Sequence, residues 1–274
     1  FKTPILVSFH GYDYTRYVKM RGAGVYRHLF SDADGFSVGT KYARRRLADL
    51  GCPDQRIHQI PYGIRIDDYH CRGSRRSTER TPRILTVGRL VEKKGFRFAL
   101  EALAKVATRF DFEYKVIGSG TETEVSQFQN LVQGLGLEGR VTLSPPGDRR
   151  WLLRQYDEAD LYLLASHTAD DGDQEMLNVT VLEAQAMGLP VLATQHNGFP
   201  EEIIDGVTGY LAEERNADSL AFFLSRLLSE RHRWAAMGIE ARRNVESRFC
   251  LTDSIRTLEG VLESLAISRI GARA

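Results

Sequence analysis

The stretch Asp160–Thr194, DLYLLASHTADDGDQEMLNVTVLEAQAMGLPVLAT, decides the fold class. Its first seven residues make an apolar, strand-like run that gives way to a polar loop rich in Asp and Gly. Asn178 is then placed to cap a helix, VTVLEAQAMG, which Gly188 and Pro190 stop before a second strand, PVLAT. The same alternation runs outward in both directions. PRILTVGRL, FEYKVIGSG, RVTLSPPG and GYLAE read as strands, while GFRFALEALAKVATRF, ETEVSQFQNLVQGLGL, RRWLLRQYDEA and ADSLAFFLSRLLSE read as helices, with FPEEIIDG a short one. Short strands alternating with helices of ten residues or more over 82–230 predict an α/β protein whose parallel sheet is covered on both faces.

Upstream, PILVSF predicts a strand that leads into the loop HGYDY, followed by a helix over KMRGAGVYRHLFSDA and a strand at DGFSVG. Thr40 is placed to cap the helix KYARRRLADLG, closed by Gly51, and RIHQIPYGI gives another strand. From Asp67 to Pro82 the sequence is polar and aperiodic, which marks a linker or domain boundary.

Of the 274 residues, 42% are hydrophobic and 27% charged, which excludes disordered and fibrous classes. No apolar run approaches the roughly 18 residues of a membrane span, and FKTPILVSFHG lacks the sections of a secretory signal, so a cytoplasmic location is expected. Cys52, Cys71 and Cys250 are widely spaced and form no CxxC pair, and the seven histidines show no HExxH pattern, so neither a disulfide framework nor a protein-built metal site is expected. Residues 1–80 carry 15 Lys and Arg against 8 Asp and Glu. Arg44, Arg45, Arg46 and the run Arg72–Arg80 read either as solvated surface or as a patch attracted to an acidic lipid surface or a phosphorylated substrate.

Ligands of parallel sheets sit at the carboxyl ends of the strands, so the loops there carry the chemistry. GRLVEKKG brings Arg89 and Lys94, with Lys93 beside it; a planar donor fork and a point charge suit a diphosphate, although the lysines equally suit an exposed helix start. GSGTE lacks the third glycine of a dinucleotide fingerprint, at Thr123, and no GxxxxGK[ST] occurs. Asp171 and Asp173 form a D-x-D that could hold Mg²⁺ or could be a solvated turn; Arg89 and Lys94 already supply countercharge. At the start of the helix, the amides around Met176–Val179, Leu177 and Asn178 among them, are expected to point outward as free donors to an anion. Glu183 and Glu175, placed on either side, could accept hydrogen bonds from the hydroxyls of two sugars; alternatively one is a loop acid and the other a partly exposed helix residue.

The Glu175-x7-Glu183 spacing followed by EAQAMGLPVLAT, the GRLVEKKG loop, the HGYD loop and NGFPEEIIDGVTGYL resemble the retaining glycosyltransferases of family 4, most specifically over 84–212. The SHTADDGDQE insertion looks like members that build bacterial exopolysaccharide, colanic-acid-type enzymes among them. The resemblance implies a GT-B fold of Rossmann-like domains. It makes 1–70 the remnant of an N-terminal, acceptor-side domain, 71–81 a linker, 82–250 a nucleotide-sugar-binding domain and 251–274 a crossover helix. It implies that Arg89, Lys94 and the amides near Leu177 and Asn178 bind the donor diphosphate. Glu175 would bind the transferred sugar and Glu183 the ribose, His10 would face the donor sugar, and Gly118 and Arg140 would border the base. The sequence departs from the family at Tyr62–Arg65, at Ala165 and Ser166, and at Met176–Leu177, where a glycine is usual. The family's first several βα units are absent from this sequence, which implies an N-terminal truncation and leaves the stretch near Leu251–Ser268 little to support.

The expected activity is transfer of a hexose from a UDP- or GDP-sugar, with retention, to a saccharide or lipid-linked saccharide in polysaccharide biosynthesis. No residue stands out as a nucleophile, and no cofactor or metal is expected. The alternatives are a non-catalytic or incomplete sugar-nucleotide module completed by another chain, and a UDP-sugar epimerase with His and acidic residues as acid and base. Peripheral contact with the inner face of the membrane through the basic N-terminal part is a further expectation. A nucleic-acid role is not expected, because the basic segments lack aromatic platforms.

Overall fold

The computed structural model describes residues 3–71 and 80–271; the basic run from Arg72 and most of the linker expected at 71–81 lie outside the described residues. Two parallel sheets organise the chain. The first is built from β1 (Leu6–Phe9), α1 (Arg16–Arg21), α2 (Arg27–Asp32), β2 (Gly35–Val38), α3 (Lys41–Asp49) and β3 (Ile57–Gln59), with strand order β1-β2-β3. The single helix expected over 19–33 is two helices joined by a 3-10 turn at Ala23–Tyr26, because Gly22 at φ 88° turns the chain after its amide closes α1 on the Val18 carbonyl. Thr40 caps α3 through the Ala43 amide at 3.0 Å. In the basic run, Arg44 is tied to Asp54 at 2.7 Å and Arg46 lies 3.8 Å from Asp49.

The second sheet carries β4 (Arg83–Val87), α4 (Phe96–Val106), β5 (Glu113–Ile117), α5 (Glu122–Gly134), β6 (Val141–Ser144), α6 (Arg149–Glu158), β7 (Leu161–Leu164), α7 (Val179–Ala186), β8 (Val191–Thr194), α8 (Phe199–Glu202), β9 (Gly209–Ala212) and α9 (Ala217–Ser229). Its order is β6-β5-β4-β7-β8-β9. Between the adjacent strands β4 and β7 the direction of winding reverses, so the loops that follow them leave a crevice at the carboxyl end of the sheet. One face is packed with Leu100, Leu103 and Phe128 from α4 and α5 and Leu224 from α9. The other holds Val181 and Leu182 of α7, Tyr156 of α6 and Val245. Full cover on both faces is what the unbroken apolar strands LYLL and VLAT require.

Two helices close the chain, α10 (Trp234–Arg248) and α11 (Leu251–Gly271). Sequence reasoning assigned no element to 234–248, where Gly238 interrupts the helical pattern. That glycine is needed for packing: a Cβ there would lie 2.2 Å from the Gly188 carbonyl oxygen at the end of α7. The chain leaves the first sheet at Ile64 and returns at Cys250, and these two residues pair as an isolated parallel bridge. From there α11 runs onto the three-stranded sheet, where Leu265 would meet a Cβ at Gly35 at 3.0 Å. With the C-terminal ends of β1 and β2 it encloses a cavity of about 300 Å³ lined also by His10 and Tyr62. The terminal helix therefore does support a sheet, contrary to the expectation that it has little to rest on. Among the described residues no helix is long and apolar enough to cross a membrane.

Candidate functional site

The crevice between β4 and β7 gathers most of the side chains singled out in the sequence. Gly95, at φ 68°, presses the β4–α4 loop against the end of β7, where a Cβ would sit 1.8 Å from the Ala165 oxygen. The turn aims Lys94 back over Gly88, with Cε 3.2 Å from the position a Cβ would take. Lys94 Nζ donates to Glu175 Oε2 at 3.0 Å, Lys93 Nζ lies 3.4 Å from Glu175 Oε1, and Asn178 Nδ2 donates to Glu175 Oε2 at 2.7 Å. Side-chain exposure is 11% for both Lys94 and Glu175. Burial pushes the Glu175 carboxyl up, but Lys94 and then Lys93 outweigh it and hold the group below the usual carboxylate range. Arg89 differs: it is exposed, and among the described residues nothing partners its guanidinium.

At the start of α7, Asn178 caps the helix through the Thr180 amide at 3.1 Å. The expectation of free amides throughout this start needs correction at one position. The Asn178 N–H donates to Glu202 Oε1 at 2.6 Å, because α8 brings a buried carboxyl group directly beneath it. Among the described residues the amides of Met176, Leu177 and Val179 have no internal acceptor, so the donors that remain for an anion come from these three. The segment is anchored in both halves of the molecule. Met176 enters the core of the first sheet and would lie 3.2 Å from a Cβ at Gly11, and Leu177 would meet one at Gly39 at 3.0 Å.

Glu183 is buried rather than partly exposed. Tyr69 donates to its Oε1 at 2.7 Å, Tyr156 to its Oε2 at 2.9 Å, and Arg149 lies 3.4 Å from Oε1. Gly118 follows β5 at the same crevice, packed so tightly that a Cβ would fall 1.9 Å from the Gly88 oxygen. Arg140 does not join it. In a parallel sheet the residue before β6 stands at the entering end: its carbonyl accepts from the Tyr114 amide, roughly 13 Å of strand away from Gly118, and its side chain pairs with Asp111 at 3.0 Å. The expectation that it borders the base is therefore incorrect.

His10 is exposed on the loop after β1, where its Nδ1 is hydrogen-bonded to the Tyr62 hydroxyl and its ring stacks on that tyrosine. Burial, then the charge of Asp13, pushes the Tyr62 hydroxyl up to about 12, so it stays protonated. Asp171 and Asp173 are both engaged by cations, Arg16 at 3.2 Å and Lys93 at 3.1 Å.

Comparison with known proteins places this geometry. The family described as Glycosyl transferases group 1 matches residues 71–244, which include the crevice and every loop around it. The chain belongs to that family. This group 1 glycosyltransferase sequence is 35% identical over 260 residues to the amylovoran biosynthesis glycosyltransferase AmsK of Erwinia amylovora, covering 94% of this chain and 63% of AmsK. It is 30% identical over 265 residues to Escherichia coli WcaL, whose name assigns it to colanic acid biosynthesis, covering 95% of this chain and 64% of WcaL. The chain thus spans a little under two thirds of the length of these relatives. Among solved structures, sucrose-phosphate synthase from Thermosynechococcus elongatus superposes with a TM-score of 0.80 at 20% identity, over 96% of this chain and 68% of that one. Anabaena HepE, solved with UDP and glucose, gives 0.80 at 18% identity over 95% and 72%. These likenesses show the fold, which is that of the GT-B glycosyltransferases.

Several residues of the group 1 site escaped sequence reasoning. His196, at the end of β8, is fully buried and hydrogen-bonded through Nδ1 to Glu214 at 2.7 Å and through Nε2 to the Glu175 amide at 3.1 Å. Burial pushes Glu214 up, but the His196 hydrogen bond overcomes this and holds it below the usual carboxylate range. Glu202 keeps one buried oxygen, Oε2, without a partner among the described residues, and burial drives its carboxyl group well above the usual range, against the Asn178 amide. QHNGFPE was visible as a strand-end loop and FPEEIIDG as a short helix, but no periodicity or spacing in them reports that His196 and Glu202 turn inward.

Proposed function

We propose that the crevice binds a nucleoside diphosphate sugar, a UDP- or GDP-sugar, for transfer with retention to a saccharide or lipid-linked saccharide acceptor in exopolysaccharide synthesis. One observation carries the reading: a Lys94–Glu175 ion pair lies at a sheet's winding reversal, where the loop after β4 also carries the Arg89 guanidinium and the start of α7 its amides, both without partners among the described residues. Arg89 and the amides supply fixed positive charge for two phosphates, and Lys94 shares its ammonium with them as Glu175 turns its oxygens to sugar hydroxyls. Charge that builds on the departing diphosphate meets the same donors, so leaving-group stabilisation is the protein's main contribution. Asp171 and Asp173 pair with Arg16 and Lys93, and the countercharge for the diphosphate comes from Arg89, Lys94 and the amides. Glu183 and its tyrosine partners border the ribose, and His10 faces the transferred sugar from the first sheet.

The geometry disfavours an epimerase. Glu175 is kept ionised by two ammonium groups and so is a poor proton acceptor.

The first test is thermal unfolding with UDP, GDP or ADP at millimolar concentration. Uridine or guanosine diphosphate is expected to raise the melting temperature, with about 2.7 kcal/mol of stabilisation at a hundredfold excess over Kd. Arg89→Ala should abolish most of that rise without lowering the nucleotide-free melting point by more than about 1 kcal/mol equivalent, whereas Lys94→Ala should abolish it and also lower the nucleotide-free melting point, because it takes the main partner from a buried carboxylate. Absence of any shift, or shifts equal to wild type in both variants, removes the reading.

A further inference from the structure

We propose that His196 and Asn197 form a clamp on the Glu175 peptide, with His196 a positioning residue for the sugar end of the donor. Nothing in the segment 174–178 is glycine, so its conformation has to be imposed from outside. Two consecutive residues impose it. His196 Nε2 accepts the Glu175 N–H at 3.1 Å, and Asn197 Nδ2 donates to the Glu175 carbonyl at 2.7 Å and to Gln174 Oε1 at 3.1 Å. To reach both, Asn197 adopts φ 44°, a left-handed conformation that asparagine tolerates better than most residues.

The chemistry of the contacts fixes the ring's protonation. Nε2 faces the Glu175 N–H and, at 3.1 Å, the Asn197 side-chain amide, both of which can only donate. A bare Nε2 is the one state that satisfies them, and the proton then belongs on Nδ1, pointing at Glu214 Oε1. The other oxygen of Glu214 accepts the Thr168 amide at 3.1 Å, which ties the loop after β7 to the same anchor. The ring is fully buried and packs edge-on to Phe199 at 6.0 Å, so it has little freedom to turn. With its backbone held by N–H and C=O together, Glu175 keeps its Cα–Cβ bond in the direction from which its carboxylate reaches Lys94 and Lys93. Rotation of the peptide on the N-terminal side of Glu175, the one His196 holds, would carry that carboxylate out of reach of the sugar while leaving Arg89 and the amides of Leu177 and Val179 in place.

This inference rests on the donor reading, and its test separates the two. Binding of UDP and UDP-glucose, and of GDP and GDP-mannose, is measured by calorimetry for wild type, His196→Ala and His196→Gln. With the clamp, His196→Ala weakens the sugar nucleotide by about tenfold and leaves the bare nucleotide within about twofold, and His196→Gln, whose amide oxygen still accepts from Glu175, recovers most of the loss. Equal weakening of both ligands, or none, overturns the proposal. A readout that needs no ligand is the nitrogen-15 spectrum of His196 at about pH 7.5: Nδ1–H with a bare Nε2 is expected, and an Nε2–H or doubly protonated ring overturns the clamp even if donor binding is intact. If wild type binds none of the four ligands, the donor reading fails. The clamp is then judged by the spectrum and by hydrogen exchange of the Glu175 amide, which should quicken in His196→Ala and not in His196→Gln.

Discussion

At position 202 a carboxyl group is fully buried against a single donor, the Asn178 amide, with the charge of Glu175 nearby. Its folded-state proton affinity lies above that of the unfolded chain, so its contribution to stability is fully present below the ordinary glutamate pKa and is lost as pH rises toward the folded value. Glu202→Gln keeps the acceptor for Asn178 and has no proton to lose. The variant is therefore expected to flatten the decline of the melting temperature as pH rises above the ordinary glutamate range, whereas Glu202→Ala should destabilise at every pH by about 1–3 kcal/mol because the Asn178 amide is orphaned. Parallel thermal melts of the two variants check this; a Gln variant with the wild-type slope would refute the neutral acid. Arg89, Lys94 and Glu175 were legible in the sequence because fixed charges stand out in short loops at strand ends. Glu202, His196 and Glu214 were not, because each meets its partner across 18 to 24 residues and only the packing of β8, α8 and β9 against α7 reveals the pairing. Arg140 was misassigned for a different reason: it opens the run RVTLSPPG, so the sequence already put it at the amino end of that strand, opposite the loops that carry the site.

Among the elements, the loop from β4 to α4 depends on Gly95 in two ways, a left-handed φ of 68° and a carbonyl oxygen 1.8 Å from where a Cβ would be. Gly95→Ala must move either this loop or the end of β7, and we expect a loss of at least about 3 kcal/mol together with displacement of Lys94 from Glu175. Gly139, at φ 81°, has nothing within 4 Å of its Cβ position, so Gly139→Ala should cost only about 1 kcal/mol of backbone strain. Urea unfolding of the two variants separates close approach from conformation as the reason for a glycine. The strands and most helices of the second sheet follow directly from hydrophobic runs, and α3 and α7 start at Thr40 and Asn178, the caps read from the sequence, while α5 and α6 start at Thr121 and Asp148. What it did not display was tertiary: the break at Gly22, which looked like a tolerated helical glycine, and α10, whose Gly238 serves contact with Gly188 rather than ending a helix.

Across the whole molecule, the two sheets are joined by more than the paired crossings at Ile64 and Cys250. Glu201, from α8, accepts the Lys41 and Tyr42 amides at 3.0 and 3.2 Å, so a side chain of the second unit caps α3 of the first. Lys19 reaches the Asp170 carbonyl at 2.7 Å and Arg16 pairs with Asp171 at 3.2 Å, tying the loop after β7 to α1. Glu201→Ala should destabilise the chain by about 1 kcal/mol and speed hydrogen exchange at Lys41 and Tyr42 while leaving β4–β9 protected; unchanged exchange in α3 would argue against the cross-sheet cap. Between these fastenings lies the Lys94–Glu175 pair, and because of it an arriving anion finds the better-buried ammonium of the crevice already holding an anion of the protein's own. Inorganic phosphate can take Lys94 only by leaving Glu175 to Lys93 and the Asn178 side chain, since it brings no hydroxyl to replace what it removes. On the proposed donor reading, a sugar conjugate brings both partners at once, phosphate for the lysine and hydroxyls for the glutamate, so the pair selects against a small phosphate and for a phosphate that carries a sugar.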